Sequence, residues 1–90
     1  VTGRSIKARA GVASTKLPDG LALLDTQANV YFSLNEAGSF IWDFCQQRRS
    51  FSEIVDALMK EFDVDRQTAG SDVEILLSEL EKNHLLEIMR

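Results

Sequence analysis

The stretch Leu34–Phe62 reads LNEAGSFIWDFCQQRRSFSEIVDALMKEF. It runs from a strand end into a capped helix, a short turn and a second capped helix. Asn35 is a good helix N-cap, and Glu36 suits the positive end of the helix dipole. Ala37, Phe40, Ile41 and Phe44 then recur at i, i+3, i+4 and i+7, an apolar helical stripe. Trp42 lies off that stripe and is expected to pack at its margin. Ser50 and Glu53 match the Ser-x-x-Glu capping box, just ahead of the stripe Ile54, Val55, Leu58 and Phe62.

Upstream the pattern has period two. Ile6 to Ala13 alternates weakly and reads as a first strand. Leu17-Pro18-Asp19-Gly20 is a turn signal: proline presets its own φ and glycine accepts a positive one. Leu21 to Asp25 and Val30 to Leu34 are short apolar runs around Thr26-Gln27-Ala28-Asn29, the spacing of a hairpin with a four-residue loop. Val30, Phe32 and Leu34 share one face; Tyr31 and Ser33 share the other. Downstream, Asp63-Val64-Asp65 breaks the helical pattern, and Asp65 is expected to cap a third helix. Ala69, Val73, Leu76, Leu77 and Leu80 mark that helix's buried face. Asn83 reads as a left-handed C-cap. Leu85 to Ile88 is either a closing strand or a tail packed on the core. Gly38 and Gly70 fall inside helices, at a cost of about 1 kcal/mol each against alanine.

There is no internal repeat and no low-complexity segment. The expected fold is α+β and winged helix-turn-helix-like: a three-stranded antiparallel sheet followed by a three-helix bundle. Residues 1–90 are expected to form a single domain. A small sheet alone is unstable in water, so its apolar face must lie on the helices.

Composition narrows the function. Ninety residues suffice for one core, and 44% hydrophobic with 27% charged residues is a globular balance. One cysteine, Cys45, and one histidine, His84, leave no intramolecular disulfide, no cysteine-rich metal site and no histidine pair. No apolar run approaches the roughly 20 residues of a membrane span. Arg4 and Lys7 are followed by no apolar stretch, so no signal peptide is expected, and a cytoplasmic location is. The net charge is −4, yet residues 1–16 carry Arg4, Lys7, Arg9 and Lys16 and no acid. That basic run either attracts an acidic peptide or is simply solvated.

Catalytic patterns are lacking. The glycines form no phosphate loop. Cys45 has no neighbouring histidine. It is followed by Gln46, Gln47, Arg48 and Arg49, and it reads as a packing residue despite those arginines. Asp43, Asp56, Asp63 and Asp65 fall at helix surfaces and ends. Asp63-Val64-Asp65 opens like a calcium loop but lacks its glycine and terminal glutamate. His84 reads as a helix-end cation or a surface residue. The expectation is therefore a non-enzyme with no catalytic residue, no metal and no cofactor.

Two binding readings remain. A winged-helix DNA-binding regulator would place the third helix in the major groove. From Asp65 to Asn83, however, Asp65, Asp72, Glu74, Glu79 and Glu81 oppose only Arg66 and Lys82, a net of −3. Phosphate contacts need the opposite sign. The other reading is peptide capture, in which an extended segment adds itself to a sheet edge. Val30-Tyr31-Phe32-Ser33-Leu34 has no proline and no charge to block pairing. Ile75 lies off the third helix's core stripe and either meets a docked peptide or packs on the sheet margin. A lesser reading is an adaptor that binds only its enzyme partner, through an apolar margin near Trp42.

Leu23-Leu24-Asp25, then Tyr31-Phe32-Ser33-Leu34-Asn35-Glu36-Ala37-Gly38, then Ile41-Trp42, resemble the PqqD-like family. Ser52-Glu53-Ile54-Val55 with Leu58, Asp72-Val73 before Leu77, and Leu80 before Leu85-Leu86 extend the resemblance over most of the chain. Family members are the precursor-peptide recognition elements of ribosomally made, post-translationally modified peptide pathways. The resemblance implies three strands and three helices, with a precursor leader peptide added as a strand between the third strand and the third helix. It implies leader-binding residues Val30, Tyr31, Phe32, Ser33, Leu34, Asp72, Ile75, Leu76 and Glu79. Asp72 and Glu79 either select a basic leader residue or are solvated. Such peptide chaperones present the leader to a leader peptidase or another modifying enzyme, with no nucleic acid or membrane partner. The run Leu24-Asp25-Thr26-Gln27 departs from the quinone-cofactor member, and Leu-Asn-x-x-Gly before Ile-Trp is more similar to the stand-alone elements of lasso-peptide pathways.

Overall fold

The computed structural model describes residues 5–89, with the Met89 side chain left aside. Arg4, part of the basic run, lies outside them. The order is β1 (Ser5–Ala8), β2 (Val12–Leu17), β3 (Gly20–Asp25), β4 (Val30–Asn35), α1 (Glu36–Cys45), β5 (Arg49–Ser50), α2 (Phe51–Phe62), α3 (Arg66–Lys82) and β6 (Leu86–Met89). The α+β outline expected from the sequence holds: one antiparallel sheet, β2-β3-β4, then three helices.

The first strand differs. Ile6 to Ala13 is not continuous; the chain turns between β1 and β2, where Gly11 takes φ +90. Only glycine reaches that region without penalty. The break sends β1 into a second sheet, ordered β5-β1-β6. Leu86 to Met89 is thus a closing strand, paired antiparallel with β1. Lys7 faces Glu87 directly across that pair, a favourable cross-strand charge match.

Local chemistry sets the remaining boundaries. Leu17 pairs with Gly20, leaving Pro18 and Asp19 as a two-residue turn. Asp25 pairs with Val30 across the expected four-residue loop. The Asp25 carboxylate, 7% exposed, accepts from the backbone N–H of Gln27 and of Ala28 at 3.1 and 3.2 Å, which holds that loop. Asn35 Oδ1 accepts from Gly38 N at 2.8 Å and starts α1. Ser50 and Glu53 form the complete capping box of α2, and Asp65 accepts from Thr68 N to start α3. The left-handed residue after α3 is His84 (φ 59), one position later than expected, while Asn83 caps at φ −92. Its Nδ2 donates back to the Glu79 carbonyl at 2.8 Å.

Leu21, Leu23 and Leu34 carry the inner sheet face into one core with Ile54, Val55 and Leu58 of α2 and Val73, Leu77 and Leu80 of α3. Trp42 is 2% exposed, at the centre of this core rather than at a margin. The buried face of α1 is Gly38, Ile41, Trp42 and Cys45, the same i, i+3, i+4, i+7 template one residue along. Phe40 instead packs edge-on against Phe44 and Phe62, centroids 5.2 and 5.6 Å away. Because α1 is sandwiched between the sheet and α2, it buries two overlapping stripes.

Candidate functional site

In the sheet β2-β3-β4, β4 is an edge: β3 pairs along one side, and no described strand pairs along the other. A Cβ built on Gly20 would lie 1.8 Å from the Leu34 carbonyl oxygen, so that carbonyl points toward β3. Backbone groups alternate in direction along an edge strand. Those of Val30, Phe32 and Leu34 therefore face β3, and those of Tyr31 and Ser33 face the open edge.

Beside the open edge runs a groove of about 820 Å³. Its strand wall is Phe32–Asn35 and its helix wall is Asp72, Ile75, Leu76 and Glu79 of α3. Ala37, Gly38 and Ile41 of α1 form the floor, and the turn Leu17-Pro18-Asp19 closes one end. Ile75 projects with 59% of its surface exposed. Asn35 and Asp65 set the start of α1 and α3, so two caps determine where the floor and the helix wall stand.

Of the expected site residues, Phe32, Ser33, Leu34, Asp72, Ile75, Leu76 and Glu79 come together here. Val30 and Tyr31 do not line the groove. Val30 is half-buried at the far end of β4, beside Asp25. Tyr31 stands on the outer sheet face, opposite Leu24 and 65% exposed; only its backbone meets the edge. Sequence reasoning missed Asn35 and the floor residues Ala37, Gly38 and Ile41, and it missed the turn Leu17, Pro18 and Asp19. The hairpin register carried the turn's signal, because pairing Gly20 with Asn35 brings that turn to the end of β4.

Charge in the groove has one sign. Asp19, Asp72 and Glu79 line it, and among the described residues no lysine, arginine or histidine does. Cys45 is fully buried, and loss of solvent pushes its thiol up to about 12; a neutral thiol is a poor nucleophile. Among the described residues, no three or more His, Cys, Asp or Glu are grouped to hold a metal ion. No described helix is long and apolar enough to cross a membrane. Trp42 itself is buried, so its side chain offers no surface to the adaptor expected at an apolar margin near it.

The sequence pattern of the family described as coenzyme PQQ synthesis protein D (PqqD) matches residues 20–86. The chain belongs to the PqqD family. That match spans β3 through the start of β6 and contains every expected site residue. Two solved structures share this PqqD-like fold. TbiB1 in complex with the TbiA(beta) leader peptide superposes with a TM-score of 0.81 at 37% identity, covering 90% of this chain and 94% of that one. A lasso peptide synthetase B1 complexed with the leader peptide gives 0.79 at 23% identity, covering 91% and 96%, and supports the fold alone. No curated protein matches this chain.

Proposed function

We propose that this PqqD-family chain is a non-catalytic recognition element that binds the leader of a ribosomally made precursor peptide. The leader adds to the open edge of β4, and its alternate side chains enter the groove toward α3. The bound leader is then presented to a separate enzyme, a leader peptidase or another modifying enzyme, in lasso-peptide maturation. The observation that carries this reading is the unpaired β4 edge directly above a groove with an apolar floor. Membership of the family, and a 37% identical relative described in complex with a leader peptide, support it.

Two terms supply the affinity. Each backbone hydrogen bond along the edge contributes about 0.5–1.5 kcal/mol net and tolerates sequence variation. One or two apolar leader side chains, if fully buried, contribute about 1.5–3 kcal/mol each. In this reading strand addition aligns the peptide and the chemistry is left to the partner enzyme.

Calorimetric titration with a leader peptide tests the edge. Ser33→Pro removes an edge-facing N–H on a strand where proline is sterically admissible, and it should weaken binding by roughly tenfold. Tyr31→Ala removes an outer-face side chain and should change affinity less than about twofold. Unchanged affinity for Ser33→Pro would refute strand addition at β4.

A further inference from the structure

The groove walls carry acidic side chains that strand addition alone does not use. Asp72 and Glu79 stand two turns apart on α3, about 10 Å along the helix axis, with Ile75 and Leu76 between them. Asp19 adds a third carboxylate from the turn at the strand end. None of these three side chains has an ion-pair or hydrogen-bond partner among the described residues. Elsewhere two helix acids are matched: Glu53 meets Arg49 and Asp56 meets Arg66. The unmatched acids thus flank an apolar centre, beside the strand edge where a peptide would lie.

An added strand rises about 3.3 Å per residue and turns alternate side chains to one face. Its groove-facing positions i, i+2 and i+4 span about 13 Å, enough to reach both acidic flanks with an apolar residue over Ile75 and Leu76. Long Lys and Arg side chains can lay their stems on that apolar centre while their charges reach the rim.

We propose that the groove selects peptides whose groove-facing residues run cation, apolar, cation at i, i+2 and i+4. This rests on the leader-capture reading above and names the class of leader it takes. The same arrangement works against acidic strands, since like charges at a rim penalise the wrong partner.

A displayed library of 12-residue peptides, randomised at alternate positions, tests the proposal against the whole chain. Counter-selection uses the Ser33→Pro variant. Peptides retained by the wild type alone should carry Lys or Arg on both sides of an apolar residue, above their input frequency. A retained peptide, resynthesised, should lose roughly three- to tenfold in affinity against the double variant Asp72→Asn, Glu79→Gln. A similar loss should accompany a change from 0.05 to 0.5 M salt, as expected of screened rim charges. Both substituted residues are exposed, and unchanged circular dichroism would confirm that the double variant folds. Retained peptides without flanking cations, or equal affinity for the double variant, would overturn the charge selection while leaving strand capture intact. If wild type and Ser33→Pro retained the same peptides, the capture reading would fall and the selectivity with it.

Discussion

Gly20 has no room for a side chain: an added Cβ would stand 1.8 Å from the Leu34 carbonyl oxygen. Gly20→Ala must push β3 and β4 apart just where the groove's strand wall ends. Overpacking of this kind costs about 1–3 kcal/mol, and urea unfolding should show that loss. The helix caps act through charge instead. The Thr68 backbone N–H holds the Asp65 carboxyl below its ordinary value of 3.8. The Ser50 backbone N–H, ahead of the smaller effect of Arg49, does the same for Glu53. A carboxyl lowered in the folded state stabilises fully above its ordinary value, and that share is lost as pH falls through the lowered one. The melting temperature should therefore drop as pH falls from about 5 toward 2. Asp65→Asn keeps a cap without the titration and should flatten part of that drop. A thermal melt series over pH reads both curves, and coincident slopes would remove Asp65 from the acid response. The Asn35, Ser50 and Asp65 caps were all legible in the sequence, because capping is local chemistry within four residues. Left-handed His84 was not, since asparagine at 83 competes for the same role and the choice depends on how the chain returns to β6.

At the scale of elements, α1 shows where pattern reading slips. Ala37, Phe40, Ile41 and Phe44 fit the helical template as well as Gly38, Ile41, Trp42 and Cys45 do. Only tertiary packing decides which stripe goes deepest. The strand break at Gly11 was hidden for a similar reason: Ile6 to Ala13 alternates acceptably, and nothing local reveals a second sheet. By contrast the β3–β4 hairpin, its four-residue loop and its inward face were readable from spacing alone. For the site, the strand and helix walls were legible as a resemblance plus an off-stripe Ile75. The closing turn Leu17-Pro18-Asp19 needed the register. Two substitutions separate core from groove. Trp42→Ala empties the centre of the core and should cost about 3–5 kcal/mol in urea unfolding. Ile75→Asp touches an exposed position, should move stability by no more than about 0.5 kcal/mol, and should weaken leader binding at least roughly fivefold. A large stability loss for Ile75→Asp would place it in the core instead.

Across the whole molecule, charge and topology point the same way. The third helix, which a DNA-binding relative of this outline would use for recognition, is net acidic and forms one wall of an acid-lined groove. Phosphate would be repelled there. The β4 edge offers instead what a peptide backbone needs, and no described strand occupies it. Two features thus combine: an edge that would otherwise invite unwanted pairing, and an acid-lined groove beside it. The most direct measurement is an amide NMR titration of the labelled chain with the leader peptide bound by its 37% identical relative, run against duplex DNA. Leader capture at this site should shift Tyr31 to Asn35 and Asp72 to Glu79, with no response to DNA. Silence with the leader, together with salt-sensitive DNA shifts around Arg48 and Arg49, would contradict it.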